Sequence, residues 1–241
     1  MRNSFDARSV DYRHYRPDYP EDLCEYIVGR CGLRAESRVL DVGAGTGKAS
    51  APWIARGMRT ISVEQSLGMI RQGVEACPGA RYLCSNAETL GVASSAFDLI
   101  TSAQAFHCFD PARALAEFAR ALKPAAFLAI FWYRLDFSFD HTRELGELLG
   151  AFNTDRDRLD EAHRDDWTAR IEHSGCFEIV DRPQFSFLVP MTTEDWVGLA
   201  RTVPYLRASG EVFERSLRDK LSGYATVDCP YLTDFWLARK R

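Results

Sequence analysis

The residue types best suited to chemistry are concentrated between positions 41 and 47, in the stretch D-V-G-A-G-T-G. Asp41 and the glycines Gly43, Gly45 and Gly47 come at the end of a short apolar run. Such a run, ended by turn residues, is typical of a buried strand. Glycine permits positive φ angles and lets a ligand contact bare backbone, and a following helix directs its free N–H groups at that ligand. The stretch therefore predicts a nucleotide-type ligand at the end of a central strand.

Three glycine motifs compete for this turn, and two of them fit poorly. A P-loop, G-x-x-x-x-G-K-[ST], would need glycine in place of Val42 and serine or threonine in place of Ala49. A dinucleotide fingerprint, G-x-G-x-x-G, would need its third glycine at position 48, but the sequence has it at Gly47. This spacing disfavours NAD or FAD without excluding them. In the remaining pattern, D-x-G-x-G-x-G, the Asp41 carboxylate faces the turn, where it suits a ligand with an ammonium group and repels a pyrophosphate.

Two more polar side chains stand at predicted strand ends. Glu64 ends the second predicted strand, where an acid can accept hydrogen bonds from both ribose hydroxyls, although the same spacing also suits NAD. Asn86 ends the third predicted strand, where its amide can bond the exocyclic amine of an adenine. Since ligands of open α/β sheets bind at the carboxyl ends of strands, these ends offer groups for an amino acid, a ribose and a base.

Four motifs in order give the chain its resemblance to a known family. V-L-D-V-G-A-G-T-G, I-S-V-E-Q-S-L-G-M-I, S-N-A-E-T-L and F-D-L-I-T-S-A-Q-A-F-H-C-F resemble the successive motifs of class I S-adenosylmethionine-dependent methyltransferases. The resemblance is strongest to the small-molecule branch, which includes trans-aconitate methyltransferase-like and quinone-biosynthesis-like enzymes. It covers roughly residues 5–133, and the leader Y-R-H-Y-R-P-D-Y-P is similar to one in that branch.

The resemblance implies a set of cofactor-binding residues. All of them are expected at the carboxyl edge of the sheet. The set consists of Asp41, Gly43, Ala44, Gly45, Gly47, Glu64, Gln65, Met69, Asn86, Ala87, Glu88 and Gln104. The glycine turn would line the methionine part, with Asp41 near its ammonium group. Glu64 would hold the ribose hydroxyls, and Gln65 and Met69 would flank the adenine. The turn at 86–88 would meet the adenine edge, and Gln104 would lie where the methyl group and the acceptor meet. The branch usually has Asp at position 86, and Asn keeps an acceptor oxygen.

His107 and the leader supply the candidate substrate contacts. His107 is the best-placed base or substrate contact, since its ordinary pKa is near neutrality; the alternative is a loop histidine held by hydrogen bonds. The stretch is often H-W-F in the branch and is H-C-F here, which reshapes the pocket wall. Tyr15 and Arg16 can contact the donor carboxylate or an acidic substrate; alternatively, the leader packs onto the fold by its tyrosines.

Alternating strands and helices predict an α/β fold with a doubly wound, mostly parallel sheet. Strands are expected near 38–43, 59–63, 81–84, 97–102 and 127–133, with helices near 21–31, 48–56 and 67–76 and after Asp110-Pro111. The later chain predicts helices near 141–151, 167–173, 192–204 and 211–221, a solvated helix face near 154–166, and strands near 177–189 and 231–238. The resemblance implies a seven-stranded, Rossmann-like sheet with an antiparallel last hairpin, made by those two strands around a helical lid. We expect one domain over 1–241, with a cover at 1–22, a cofactor-binding core at 23–133 and a substrate-side part at 134–241.

Composition narrows the partners and the compartment. A net charge of −4 and a pI near 5.8 favour a small-molecule substrate over nucleic acid. The seven cysteines are scattered, with no C-x-x-C pair, which predicts neither a metal site nor a disulfide framework and favours the reducing cytoplasm. The charged N-terminus predicts no signal peptide, and no apolar run is long enough for a membrane span. Oligomeric state is not readable from the sequence.

The predicted reaction is methyl transfer from S-adenosylmethionine to oxygen or carbon of a small molecule, which leaves S-adenosylhomocysteine. In-line displacement on an activated carbon mainly requires that donor and acceptor are aligned, about 3–3.5 Å apart, and that water is excluded. A base matters only for a poorly ionised acceptor, and a carboxylate needs none. Two alternatives remain: a protein that binds S-adenosylmethionine without transferring methyl, and an NAD-dependent oxidoreductase.

Overall fold

The protein is described from a computed structural model that covers residues 9–152, 167–203 and 210–241. The predicted charged helix face at 154–166 lies outside these ranges. The strands are β1 (Arg38–Val42), β2 (Arg59–Glu64), β3 (Arg81–Cys84), β4 (Phe97–Ala103), β5 (Leu122–Leu135), β6 (Phe177–Asp181), β7 (Gln184–Met191) and β8 (Val227–Lys240). The helices are α1 (Ser9–Tyr15), α2 (Glu21–Cys31), α3 (Ala51–Ala55), α4 (Leu67–Ala76), α5 (Pro111–Ala121), α6 (Asp140–Phe152), α7 (Trp167–His173), α8 (Thr193–Thr202) and α9 (Gly210–Leu221). A 3₁₀ turn spans Phe106–Cys108.

The described strands form one sheet with the order β3-β2-β1-β4-β5-β8-β6, and β7 also pairs with β8. The first five strands are parallel, and β8 is antiparallel to β5, β6 and β7. Parallel neighbours require crossover connections, which here are helices lying on the faces of the sheet. The predicted doubly wound sheet with an antiparallel end is confirmed.

The single strand expected near 177–189 is two strands in the structure. β6 ends at Asp181 and β7 begins at Gln184, so the break falls at Arg182 and Pro183. Pro183 has no N–H to donate to a ladder, which explains an interruption there. Both segments pair with β8 on the side away from β5, so eight strands occupy seven positions across the sheet.

Capping residues mark the ends of several helices. Ser66 caps α4 by accepting a hydrogen bond from the N–H of Met69 at 3.2 Å. Asp110 caps α5, with Pro111 at its first position. Gly32 ends α2 in the left-handed conformation, with φ of 61°. Residues 48–50, expected to start a helix, instead belong to the turn, since α3 begins only at Ala51.

The leader contains a helix that the sequence reading did not predict. α1 ends at Tyr15, before the buried Pro17. It lies across the carboxyl edge of the sheet, between α8 and α4. Arg13 bonds Glu75 of α4 at 3.0 Å, and Asp18 after the helix pairs with Lys48 beside the glycine turn at 2.8 Å. The leader is thus attached to the elements around the predicted site.

Three apolar clusters hold these layers together. One lies between the sheet and α5 and α7, and a second between the opposite face and α2 and α3. The third joins α8 and α9 to the ends of β5, β7 and β8, and Tyr15 of α1 packs against it. Because all three clusters share strands of one sheet, the carboxyl edge of that sheet is a rigid platform for the site. Among the described helices, none combines the length and the apolar character that crossing a bilayer requires.

Candidate cofactor site at the glycine turn

The glycine turn after β1 has the backbone conformation expected from its sequence. Gly43, Gly45 and Gly47 have φ angles of 75°, 55° and 85°, which favour glycine. The N–H of Gly43 donates to the carbonyl of Val63 on β2 at 2.9 Å. A Cβ at Gly43 would lie 2.4 Å from that of Ala105, whereas one at Gly45 would meet nothing within 4 Å. The turn is therefore closely packed at Gly43 and open at Gly45.

Asp41 lies beneath this turn, fully buried. One carboxylate oxygen accepts a hydrogen bond from the Ser50 hydroxyl at 2.6 Å and the other accepts from Thr101 at 2.8 Å. Burial raises the pKa of Asp41 to about 6, and the two hydroxyl donors oppose that rise. The sequence reading placed this carboxylate facing the ligand. The structure instead directs both oxygens to hydroxyls under the turn, where the charge acts through the backbone above it.

Glu64, at the end of β2, joins the turn to the start of α4. Its Oε2 accepts a hydrogen bond from the N–H of Gly45 at 2.9 Å. Its Oε1 accepts from the N–H groups of Gln65 and Ser66, both at 2.8 Å. The carboxylate therefore lies at the open part of the turn, as the ribose assignment requires.

Tyr82 of β3 supports the turn from the side of α4, and the sequence reading missed it. Its hydroxyl donates to the carbonyl of Gly45 at 3.2 Å. A Cβ at Gly73 would lie 1.9 Å from that hydroxyl oxygen, and one at Gly47 would lie 2.8 Å from it. The phenol thus occupies a recess among three glycines. No spacing rule links residues on a turn, a helix and a strand, so only the fold reveals this group.

The residues expected beside the adenine lie on two neighbouring loops. Met69 is buried on α4, whereas Gln65 is exposed at its start. Asn86 Oδ1 accepts a hydrogen bond from the Thr89 hydroxyl, and Ala87 is buried against the core. Glu88 accepts from the N–H of Asp110 at 2.9 Å, which ties this turn to the start of α5.

The segment after β4 lies directly over the glycine turn. Gln104 has a φ of 56°, which is strained for a residue with a side chain and is typical of functional sites. Its amide donates to the carbonyl of Tyr133 on β5 at 2.9 Å. Phe109 closes on Gly43, where an added Cβ would lie 3.1 Å from its ring. Gln104 is therefore held at the junction of the turn and β5.

His107 lies within this segment and is exposed. The indole N–H of Trp132 donates to its Nδ1 at 3.2 Å. An imidazole nitrogen that accepts a hydrogen bond carries no proton, so the neutral ring has its proton on Nε2. The one lone pair of the neutral ring is therefore engaged by Trp132.

The leader brings phenols and a guanidinium to the same edge of the sheet. The Arg16 guanidinium donates to the Thr202 hydroxyl at 2.9 Å and lies 5.3 Å from the ring centre of Tyr12. Burial raises the pKa of Tyr12, Arg16 lowers it, and Glu64 and Cys108 raise it further. Tyr12 is thus within electrostatic range of both the turn and the segment after β4.

Two more phenols extend this group. Burial raises the pKa of Tyr19 and of Tyr133 well above the ordinary tyrosine value. Their rings lie 5.5 Å apart. Tyr15, which was expected at the cofactor, instead packs on α8, where a Cβ at Gly198 would lie 2.3 Å from its ring. Its large ring fills the gap that this glycine leaves, so it anchors the leader.

The turn also contains buried polar groups suited to a ligand. The Thr46 hydroxyl is 3% exposed and has no hydrogen-bond partner among the described residues. A buried polar atom without a partner is destabilising unless a ligand or water satisfies it. Ala44 is also buried in the turn. Open space at Gly45, the Glu64 carboxylate and this hydroxyl together fit the polar amino-acid and ribose parts of S-adenosylmethionine.

Two cavities of the described residues lie away from this site. In the described ranges, no group of three or more His, Cys, Asp or Glu side chains has the arrangement of a metal site. One cavity of about 730 Å³ lies between α2 and α3, and another of about 300 Å³ lies between α6, α9 and the start of β8. Neither is lined by the glycine turn, Glu64 or the segment after β4.

Comparison with known proteins gives a consistent pattern. Residues 40–130 match the profile of a methyltransferase domain. An uncharacterized methyltransferase of Mycobacterium tuberculosis is 30% identical over 199 residues, which cover 79% of this chain and 80% of the relative.

Solved structures share the fold. A proposed type II methyltransferase of Anaeromyxobacter dehalogenans aligns with a TM-score of 0.70 and 22% identity, covering 94% of this chain and 98% of its own. A phosphoethanolamine N-methyltransferase of Haemonchus contortus, solved with S-adenosylhomocysteine, aligns with a TM-score of 0.54 and 17% identity, covering 98% of this chain and 57% of its own.

Proposed function

This chain belongs to the class I methyltransferase family, and we propose that it transfers a methyl group from S-adenosylmethionine to a small-molecule acceptor, at oxygen or carbon. The observation that carries this proposal is the Glu64 carboxylate bonded to the Gly45 N–H at 2.9 Å, at the open part of a glycine turn. A carboxylate at that point can accept hydrogen bonds from both ribose hydroxyls.

The cofactor's parts are assigned to neighbouring residues. Gly43, Gly45 and Gly47 hold the methionine part, and the buried charge of Asp41 favours its ammonium group electrostatically. Thr46 supplies a hydroxyl in the same turn. Gln65, Met69 and the loop at Asn86, Ala87 and Glu88 surround the adenine.

When bound, S-adenosylmethionine supplies a methyl group on a positively charged sulfur, which is an activated carbon for displacement. The chain's contribution is therefore alignment and exclusion of water. Gln104 is fixed by its bond to the Tyr133 carbonyl at 2.9 Å, next to Gly43 through Ala105. A fixed wall at this position orients the acceptor against the donor.

The acceptor is assigned to the space between the leader and β5. Tyr12, Tyr19 and Tyr133 form an aromatic wall whose phenols stay neutral, because burial raises their pKa values. Arg16 adds a fixed positive charge beside Tyr12. Neutral rings with one cation suit an acidic or aromatic small molecule, or the carboxylate of the cofactor itself.

His107 is assigned as a substrate contact, because it is exposed on the segment after β4. Because Trp132 occupies Nδ1, the neutral ring donates a hydrogen bond more readily than it removes a proton. A donor at this position suits an acceptor with a carbonyl or carboxylate oxygen.

Calorimetry with S-adenosylmethionine, S-adenosylhomocysteine and NAD tests the proposal. We expect both sulfur compounds to bind and NAD not to bind. Binding of NAD alone would overturn the proposal in favour of an oxidoreductase. A screen of carboxylic acids, phenols and quinone precursors then tests transfer. If the protein binds S-adenosylhomocysteine but methylates none of them, a role in binding without catalysis is favoured.

A further inference from the structure

We propose that Tyr82 is a positioning residue for the cofactor. Gly73 on α4 has no side chain, which leaves room for the Tyr82 hydroxyl. The inference rests on the proposed function and names residues beyond the predicted binding set. Tyr82 lies on β3, at an edge of the sheet, and its hydroxyl reaches the carbonyl of Gly45 at 3.2 Å. One side chain thereby connects the edge strand to the turn that holds the methionine part.

The recess around the phenol requires glycine at Gly73. A Cβ there would lie 1.9 Å from the hydroxyl oxygen, 2.4 Å from Cζ and 2.9 Å from Cε2 of Tyr82. These distances are far below van der Waals contact, and a flip of the ring leaves the hydroxyl oxygen and Cζ in place, since both lie on the flip axis. Glycine is a poor helix former, so its presence in the interior of α4 calls for a local reason. Admission of Tyr82 supplies that reason.

The Tyr82 phenol also lies close to the backbone of the glycine turn. A Cβ at Gly47 would lie 2.8 Å from the Tyr82 hydroxyl, so the oxygen lies close to the backbone of Gly47 as well as to the Gly45 carbonyl. Gly45 is then held at both of its backbone polar atoms, which belong to two successive peptide groups. Its carbonyl accepts from Tyr82, and its N–H donates to Glu64 at 2.9 Å. These two bonds fix the orientations of the two peptide groups on either side of the Gly45 Cα, where the space is open.

Tyr82 also links the two parts of the cofactor site. Gly73 lies on α4, the helix that presents Met69 and is capped by Ser66. A phenol seated between α4 and the turn fixes the distance between the adenine side and the methionine side. A preformed distance lowers the ordering required on binding, which favours affinity.

The test measures the affinity for S-adenosylhomocysteine by calorimetry, so it needs no acceptor. Tyr82→Phe keeps the ring and removes only the hydroxyl. We expect the dissociation constant to rise about 2- to 10-fold, as for loss of one neutral hydrogen bond. The unfolding midpoint of the ligand-free protein should fall only slightly, as expected for the loss of one hydrogen bond.

Tyr26→Phe is the matched control. The Tyr26 hydroxyl bonds Asp181 at the far side of the sheet, so this variant loses one phenolic hydrogen bond away from the turn. Its affinity for S-adenosylhomocysteine should equal that of the wild type. An equal loss of affinity in both variants would show a general effect on the fold and would overturn the proposal.

A double-variant cycle tests the recess. Gly73→Ala should weaken S-adenosylhomocysteine binding in the wild-type background, because Tyr82 must move. It should have no effect in a Tyr82→Ala background, where the methyl group has room. Additive effects of the two changes would contradict the proposed contact. If the wild type itself fails to bind S-adenosylhomocysteine, the proposed function fails instead, so the two failures are distinguishable.

Discussion

The indole N–H of Trp132 donates to Nδ1 of His107 at 3.2 Å, and this bond decides what His107 can offer a substrate. Trp132 is itself held in the core, where its ring stacks on that of Trp167 at 5.7 Å. The imidazole is therefore oriented by a rigid partner, with its proton on Nε2 in the neutral form.

We predict that His107→Gln preserves catalysis, because glutamine keeps an acceptor for Trp132 and a donor for the substrate. Its kcat/KM should stay near the wild-type value from pH 6 to pH 9, measured with the acceptor found by screening. His107→Leu lacks both groups and should lose about 2- to 10-fold, the usual range for one hydrogen bond. If His107→Gln instead abolishes a rise in rate near neutral pH, the histidine acts as a base.

Glu64→Ala should weaken S-adenosylhomocysteine binding about 10- to 100-fold, since hydrogen bonds to a charged group are the stronger kind. The variant also loses the bond to the Gly45 N–H. Calorimetry at constant ionic strength measures the change. Glu36→Ala is the control, because Glu36 is an exposed carboxylate paired with Arg59 at the opposite end of the strands. Unchanged affinity in Glu64→Ala would refute the ribose assignment.

Asp41 should make the ligand-free protein less stable as pH rises. Burial raises its pKa from an ordinary 3.8 to about 6, so the folded state holds the proton more tightly than the unfolded state. The stabilisation is complete below pH 4 and is lost as pH rises through 6. Relative to Asp41→Asn, which does not titrate, the free energy of unfolding of the wild type should fall by about 3 kcal/mol over this window. Urea denaturation at pH 4, 5, 6 and 7 measures it.

At Asp98, the same urea measurement should show stability changing with pH in the direction opposite to that at Asp41. Burial tends to raise its pKa, but Lys123 and the N–H of Arg38 lower it below the ordinary value. The wild type should therefore gain stability relative to Asp98→Asn as pH rises from acid. If both aspartates gave the same direction, burial would not be the dominant influence on Asp41.

Ala125→Gly should stabilise the fold. Ala125 has a φ of 58° at an exposed position near the start of β5, where the pairing with β4 is irregular. A left-handed conformation costs a residue with a Cβ about 1–2 kcal/mol, and glycine avoids this cost. The greater conformational entropy that glycine loses on folding offsets about 0.5–1 kcal/mol of the gain. The net gain should be about 0.5–1 kcal/mol by urea denaturation. Ala116→Gly, on the exposed face of α5, should instead lose about 1 kcal/mol. Equal effects at both positions would contradict the strain at Ala125.

The sequence predicted features that depend on neighbours along the chain. The caps at Ser66 and Asp110 and the positive φ angles of the glycine turn follow from local residue types, and the structure confirms them. Features that depend on contacts between distant elements were beyond such rules. One such feature is the packing of the Tyr82 phenol against glycines of α4 and of the glycine turn. Another is the hydrogen bond from Trp132 to His107.

The same distinction explains the errors. Asp41 has the expected residue type, but its direction depends on Thr101, sixty positions later. The leader reads as a proline-broken segment, whereas contacts of Arg13 and Tyr15 with α4 and α8 hold a short helix in it. The break between β6 and β7 falls at Pro183, a residue type that indicates an irregularity in a strand without showing that the strand ends there.

That break has a consequence for association with other chains. An open sheet exposes unpaired backbone groups along its two outermost positions, where another chain can add as a further strand and start aggregation. One outermost position here is β3, which has four residues, and the other is shared by β6 and β7, interrupted at Pro183. Pro190 removes one more donor from β7. Among the described strands, the short β3, the break at Pro183 and the proline in β7 therefore limit the addition of a further strand at these two borders.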